Sequence, residues 1–241
     1  MDPHHTKAAA GAGALSLRER KKRQTRQRIS DVATRLFAGR GFDKVTVAEV
    51  AEAAEVSTMT VFNHFSRKED LYLDRIPEAL ELFTGAVRQR RPGESPAAPV
   101  RRLVRELADA RHPLGAVGDT FPAFWRVVLD SPALRARVRE AVEELENALT
   151  AAVAESTGAA PGDPRPRLTA ALTVTAYRTV YVTTAARLLA GERADDVAPG
   201  HHELVDTAFA ALEEALRVLG AADRPDRPAP TARPGNPEAP V

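Results

Sequence analysis

The sequence predicts an all-α protein of about nine helices, with an N-terminal three-helix helix-turn-helix unit and a larger C-terminal helical body. Three observations carry this. Apolar residues recur at three- and four-residue spacing through most of the chain, the period of an amphipathic helix. Strand signals are lacking: there is no sustained alternation, no Asn-Gly turn, and aromatics make up only 5% of the 241 residues. Capping residues stand ahead of the apolar runs, and prolines and glycines separate them.

The first helix spans roughly residues 17–38, where Ile29, Val32, Ala33, Leu36 and Phe37 share one face. Gly39 and Gly41 can each take the left-handed conformation that ends a helix, and Phe42 is placed to fold back onto the core. A short second helix covers about residues 47–54, with Val47, Val50 and Ala51 as its buried face. Thr46 and Glu49 form a T-x-x-E capping box, in which hydroxyl and carboxylate each satisfy an orphan amide. After a turn at 55–56 a third helix covers about 58–64, with Ser57 as its N-cap. Ser66 is placed to cap a fourth helix over 68–90, with Glu69 and Asp70 in its first turn and a kink at Pro77. The Pro/Gly-rich stretch 91–99 is a clear break. Helices follow near 100–110, 121–129 and 132–156, the last with Ser131 as cap and Pro132 in its first turn. A proline-rich loop at 158–166 precedes two final helices, about 167–190 and 202–219. Residues 1–15 lack periodicity, and residues 221–241 carry six prolines and no apolar pattern, so both ends are expected to be disordered. The expected division is an arm at 1–15, a helix-turn-helix domain at 16–66, a helical body at 67–220 and a tail at 221–241.

Composition removes several function classes. With no cysteine, disulfide frameworks, cysteine–zinc sites and thiol catalysis are excluded. No apolar run approaches the roughly 18 residues of a membrane span, and the basic residues follow the Ala/Gly-rich start instead of preceding it, unlike a signal peptide. A cytoplasmic protein with no membrane partner is expected. The net charge of +1 argues against a nucleic-acid partner only as an average. Residues 1–70 carry +4 and the remainder −3, and Arg18–Arg28 alone holds seven basic side chains against Glu19. Such a run is either a solvated helix face or a phosphate-neutralising surface, whose binding is strongly salt-dependent.

The second and third helices have helix-turn-helix spacing, in which the second member enters the major groove and the first braces it. Ser57, Thr58, Met59, Thr60 and Asn63 are small or polar and can reach base edges or phosphates, whereas Val56, Val61 and Phe65 suit the core. None of the former is the arginine that pairs most recognisably with guanine, and Thr58 or Met59 against a thymine methyl fits equally.

Residues 25–72 resemble the DNA-binding segment of the tetracycline-repressor (TetR) family of transcriptional regulators. The resemblance rests on Arg28-Ile29-x-x-x-Ala33-x-x-Leu36-Phe37, Gly39-Arg40-Gly41-Phe42, Thr46-Val47-x-x-Val50-Ala51, Val56-Ser57-x-x-Thr60-Val61-Phe62-Asn63-His64-Phe65 and Lys68-Glu69-Asp70-Leu71. It implies that Thr60 lies where the recognition helix touches DNA. His64 and Lys68 match backbone-contacting positions, and Thr46 both caps its helix and meets a phosphate. Arg28 ends the basic run and is expected to contribute to phosphate binding. Phe62 stands where the family usually has tyrosine; ring packing survives, but a hydroxyl contact to phosphate does not. For His64, packing between helices is the competing reading.

The resemblance further implies a homodimer whose last two helices form a four-helix bundle, and hence a palindromic double-stranded operator. Leu204, Val205, Ala208, Phe209, Leu212, Ala215, Leu216 and Leu219 form a stripe on the final helix, and Leu168, Leu172, Val180, Leu188 and Leu189 lie on the helix before it. Burial inside one subunit produces the same pattern. The family senses small molecules between its central helices. Candidates here are Phe83, Phe121, Phe124, Trp125, Tyr177, Arg178 and Tyr181, which ordinary core packing explains equally well. The stretch Trp125–Arg139 is similar to actinobacterial members associated with acyl-thioesters, which implies an apolar or acyl-type effector, its anionic head near Arg126 or Arg178.

An enzyme is the alternative from another class. Nucleophile-elbow, dinucleotide, Walker and zinc-protease patterns are absent; His202-Glu203-x-x-Asp206 lacks the second histidine. His201 and His202 beside Asp195 and Asp196 read as a solvated loop before a metal site, so no cofactor is expected. Within the regulator class, a ligand-independent DNA binder or an activator fits the same residues as an inducible repressor.

Overall fold

The computed structural model describes residues 16–221; the arm at 1–15 and the tail from 222 lie outside the described residues. The described residues form nine α-helices and no strand: α1 (Leu17–Arg40), α2 (Val47–Ala53), α3 (Thr58–His64), α4 (Ile76–Arg88), α5 (Ala98–Asp109), α6 (Phe121–Asp130), α7 (Pro132–Thr157), α8 (Arg165–Leu189) and α9 (Ala194–Ala221). Short 3-10 turns occur at Glu69–Leu71 and Pro113–Gly115. No described helix is long and apolar enough to cross a membrane.

Local chemistry sets the first three helices. Ser16 opens α1 through a capping box: its Oγ accepts from the Glu19 amide at 3.2 Å, and its own amide donates to the Glu19 carboxylate at 2.9 Å. The apolar face begins only at Ile29, and Ile29, Ala33 and Phe37 are fully buried. The helix passes through Gly39 and stops at Gly41, whose φ of 85° is open to glycine and whose amide donates to the Phe37 carbonyl at 2.9 Å. Phe42 folds back as expected, its ring 4.9 Å from that of Phe37. The Thr46–Glu49 box and the Ser57 cap both form. The resulting core joins Ile29, Phe37, Val50, Val61, Phe65 and Leu71, and it continues onto Val128 of α6 and Leu134 of α7.

Three helix starts differ from expectation. The fourth helix begins at Ile76, after the separate 3-10 turn, and Ser66 does not cap it. Pro77 therefore lies in the first turn of α4, where its missing N–H has no intrahelical partner to lose, and no kink is needed. α8 starts at Arg165, with Pro166 likewise in its first turn. α9 starts at Ala194 instead of 202 and runs through Pro199, because Ala194, Val197 and His201 are buried there against the C-terminal end of α8.

α7 packs on α4 and α8, and α8 on α9, around a second core that includes Phe83, Val100, Leu149, Val174 and Phe209. A third cluster ties Ala116, Phe121, Leu188 and Val197 together. The segment between α5 and α6 is pressed onto α5: a Cβ at Gly115 would sit 2.5 Å from the Leu107 carbonyl, so only glycine fits. Arg111 and Ala116 flank that 3-10 turn with φ of 52° and 62°.

Candidate nucleic-acid interface and aromatic site

The turn from α2 to α3 passes through Glu55 at a left-handed φ of 53°, a conformation that costs a non-glycine residue about 1–2 kcal/mol. It delivers α3 with Val61 and Phe65 buried and the other face outward. Ser57, Thr58, Met59, Phe62 and Asn63 are exposed; Met59 retains 69% and Phe62 49% of its accessible surface. Large apolar groups on an exposed helix face need a partner or a reason. Thr60 is half-buried, its Oγ 2.8 Å from that of Ser57, and its amide donates to Ser57 Oγ at 3.0 Å.

Several expected contact residues also have structural work. Thr46 Oγ accepts from the Glu49 amide at 3.2 Å and donates to the Glu49 carboxylate at 2.8 Å. The Thr46 amide, the Arg40 guanidinium and the Thr46 hydroxyl together hold the Glu49 carboxyl down at about 2. Lys68 donates to the Phe42 carbonyl at 2.7 Å, with its ammonium 4.2 Å from that ring's centroid, so it is drawn into the first core. His64 is half-buried; burial and the nearby Arg26 and Lys22 charges lower its pKa. Arg28 stays exposed and makes no ion pair with a described residue.

Charge counting alone missed the role of Arg26. Its guanidinium lies 4.0 Å over the Phe65 ring and donates to the His64 carbonyl, binding α1 to the C-terminal end of α3. A second missed set ties the loop after α1 and the 3-10 turn after α3 to α6 and α7. Ser131 Oγ donates to Asp43 at 3.0 Å, Arg137 to Asp70 at 2.9 Å, and Arg67 to Glu140 at 2.5 Å. Tyr72 stacks on Phe124 at 4.8 Å and 9°, donates to the Phe124 carbonyl at 3.2 Å, and has its hydroxyl pKa pushed up to about 12 by burial. Sequence spacing gives no sign of these partners, which lie 52 to 88 residues apart.

Six of the seven candidate ligand residues converge. Phe121 and Trp125 lie 5.3 and 5.8 Å from Tyr181, Tyr181 lies 5.7 Å from Tyr177, and Tyr177 lies 4.7 Å from Phe83. Phe124 joins them through Trp125 at 5.8 Å. Trp125 Nε1 donates to the Tyr181 hydroxyl at 3.2 Å, while Tyr177 and Tyr181 donate to the carbonyls of Leu114 and Pro113 at 2.8 and 3.4 Å. Burial raises both tyrosine pKa values. Arg178 is not part of this group: one residue past Tyr177, it projects outward and is exposed, as is Arg126.

The expected dimer stripe also needs correction. Val180, Phe209 and Leu212 are buried in the second core of a single chain and are not free to meet another copy. Leu172, Leu204, Ala208 and Leu216 are half-buried against the same core. The outward faces of α8 and α9 carry Leu168, one of the expected stripe, together with Thr175, Val182, Ala211 and Val218, with Val182 57% and Val218 56% exposed. His201 turns inward, its Nδ1 2.8 Å from Thr184 Oγ, while His202 Nε2 lies 3.0 Å from Asp109; the pair does not converge on one point.

Comparison with known proteins agrees with this geometry. The family model described as "Bacterial regulatory proteins, tetR family" matches residues 29–74, and that of the "MftR C-terminal domain" matches residues 123–217. The HTH-type transcriptional regulator TcmR of Streptomyces glaucescens is 34% identical over 161 residues, covering 65% of this chain and 71% of that protein. The HTH-type transcriptional regulator AcrR of Shigella flexneri is 34% identical over 84 residues, 35% of this chain and 38% of its own. Among solved structures, a SmeT–triclosan complex superposes with a TM-score of 0.51 at 15% identity, over 78% of this chain and 91% of that one, which shows a shared fold. The chain belongs to the tetR family of bacterial regulatory proteins: it is a DNA-binding transcriptional regulator and not an enzyme.

Proposed function

We propose that this regulator is a homodimeric repressor that holds a palindromic operator and is released from it by a small, largely apolar effector. Residues 16–66 act as the reading head and residues 67–220 as the sensing and dimerising body. The observation that carries the reading is the outward face of α3, where Thr58, Met59, Phe62 and Asn63 stand clear of the core on a helix-turn-helix. Thr60 reads a base edge, Ser57 and Thr46 meet phosphates from their cap positions, and Arg28, His64 and Lys68 contact the backbone. Phe62, lacking a hydroxyl, contributes ring packing alone. Two copies related by a twofold axis place their α3 helices in successive major grooves, about 34 Å apart.

Dimerisation is supported by the exposed apolar side chains of α8 and α9, which no other part of the described chain covers. Effector binding among Phe83, Phe121, Phe124, Trp125, Tyr177 and Tyr181 is supported by the convergence of those rings. A protein of the same fold is known in complex with triclosan. The Tyr72–Phe124 stack joins that cluster to the first core, on which the reading head is built, so an effector that moves α6 moves that core. Coupling of this kind is reciprocal: operator binding weakens effector binding by the same factor.

Selection of duplexes from a random pool, followed by gel shifts over a metabolite panel, tests the reading. The expected result is a palindrome whose half-sites are one helical turn, or a multiple of it, apart, and its release by an apolar compound. Thr60→Ala is expected to relax sequence preference by roughly 10-fold at one position of each half-site. Selected sequences without twofold symmetry would overturn the dimeric repressor.

A further inference from the structure

The N-terminal third of α1 has no counterpart in the site described above. Residues 17–24 are all exposed, so about 12 Å of helix stands beyond the first contact with the core. Within it Arg18, Arg20, Lys21, Lys22 and Arg23 make no ion pair with a described residue. Apart from the attraction between Arg23 and Glu19, the cations on these two helical turns repel one another, and a ligand of opposite charge relieves that repulsion.

Helix phase sets Arg18, Lys21 and Lys22 apart from Arg20. Arg18 and Lys22 lie on the same i, i+4 row as Arg26, and Lys21 is three residues from Arg18, on the same side. Arg26 is fixed over Phe65 and on the His64 carbonyl, at the C-terminal end of α3. Lys22 is close enough to act on the His64 imidazole. The row therefore leaves the protein beside the end of the recognition helix. Arg20 points to the other side, while Arg23, three residues from Arg26, lies between the two and acts on the Glu19 carboxylate.

We propose that Arg18, Lys21 and Lys22 form a phosphate-tracking stripe that holds the duplex outside the segment read by α3, extending the footprint beyond each half-site. The stripe rests on the DNA-binding reading of α3 and continues its surface. A membrane surface fits less well: Leu17 is the one apolar side chain in residues 17–28, and an interfacial helix needs an apolar face.

The test uses the full-length chain on its selected operator, with binding measured between 50 and 200 mM salt. Each phosphate neutralised adds about 0.9 to the slope of log affinity against log salt. The variant R18A/K21A/K22A is expected to lower the slope by about 2 to 3, so that wild type loses about 40-fold more affinity than the variant over that range. R20A is expected to leave the slope within about half a unit. R18K/K21R/K22R keeps the charge and is expected to keep the wild-type slope, with far-UV dichroism confirming folding in all cases. On operators trimmed at their flanks, wild type loses affinity and the triple variant does not. An equal loss of slope per residue in the two alanine variants overturns the stripe, as does a triple variant with unchanged slope and intact sequence preference. Loss of anionic-vesicle binding in place of a DNA effect overturns it too. A wild-type protein that selects no duplex sequence at all sinks the DNA-binding reading of α3, a separate result.

Discussion

Arg18 and Arg26 lie two helical turns apart in one basic run and do different work. Arg26 is turned in over Phe65, whereas Arg18 stands in solvent. Only the phase of α1 against the ring of Phe65 distinguishes them, and that phase belongs to packing. His201 is the complementary case, a polar group that sequence placed in a solvated loop and the fold buries. Its Nε2 has no partner, and burial, the neighbouring His202 and Arg105 bring its pKa down to about 4, against an opposing pull from Asp109. Below pH 6.5 the unfolded chain binds a proton there that the native state refuses. Stability is therefore expected to fall between pH 6.5 and 4 by roughly 3 kcal/mol through this group. His201→Asn should flatten that part of a pH series of chemical denaturation curves. An identical slope in the variant would remove His201 as its origin.

At the scale of the elements, what was legible was local. The Thr46 and Ser57 caps, the 3.6-residue faces and the α2–α3 spacing need only a few neighbouring residues, and α2 and α3 lie where their caps put them. Pro77 makes no kink and Pro199 falls inside α9, because a proline's effect depends on where the helix starts, which tertiary burial decides. The clamp that ties the 3-10 turn after α3 to α7 was illegible because its partners are distant in sequence. Arg137 is its centre, buried between Asp70 and Glu144. Arg137→Met is expected to destabilise the fold by about 2–3 kcal/mol, less than a fully buried pair because Glu144 is partly exposed. The double variant R137M/D70N should recover part of that loss in the same denaturation assay. Additive losses would mean that the two side chains act independently.

For the whole molecule, the near-zero net charge conceals a division: the cations gather on α1 and the acidic excess lies beyond residue 70. A dimer brings two basic ends to one duplex, so the assembly matters as much as the site. Three residues of the stripe expected to form it, Val180, Phe209 and Leu212, lie inside one chain, since a period of 3.6 identifies a buried face but not what buries it. The outer faces of α8 and α9 now specify the test. Val182→Asp places a charge in the middle of that surface and is expected to give a monomer by sedimentation, with operator affinity down at least about 100-fold from lost bivalency. A dimer that survives Val182→Asp and Val218→Asp together would move the interface elsewhere.

The aromatic cluster contains the chain's one tryptophan. Trp125 touches Phe124, which stacks on Tyr72 of the first core, and its indole N–H donates to Tyr181. Intrinsic fluorescence excited at the red edge therefore reports from a single indole between the two ends of the molecule. Spectral shifts on adding a small molecule and on adding operator would be read from the same chromophore without a label, and the sign and size of each titration would show whether the two ligands pull that indole in opposite directions.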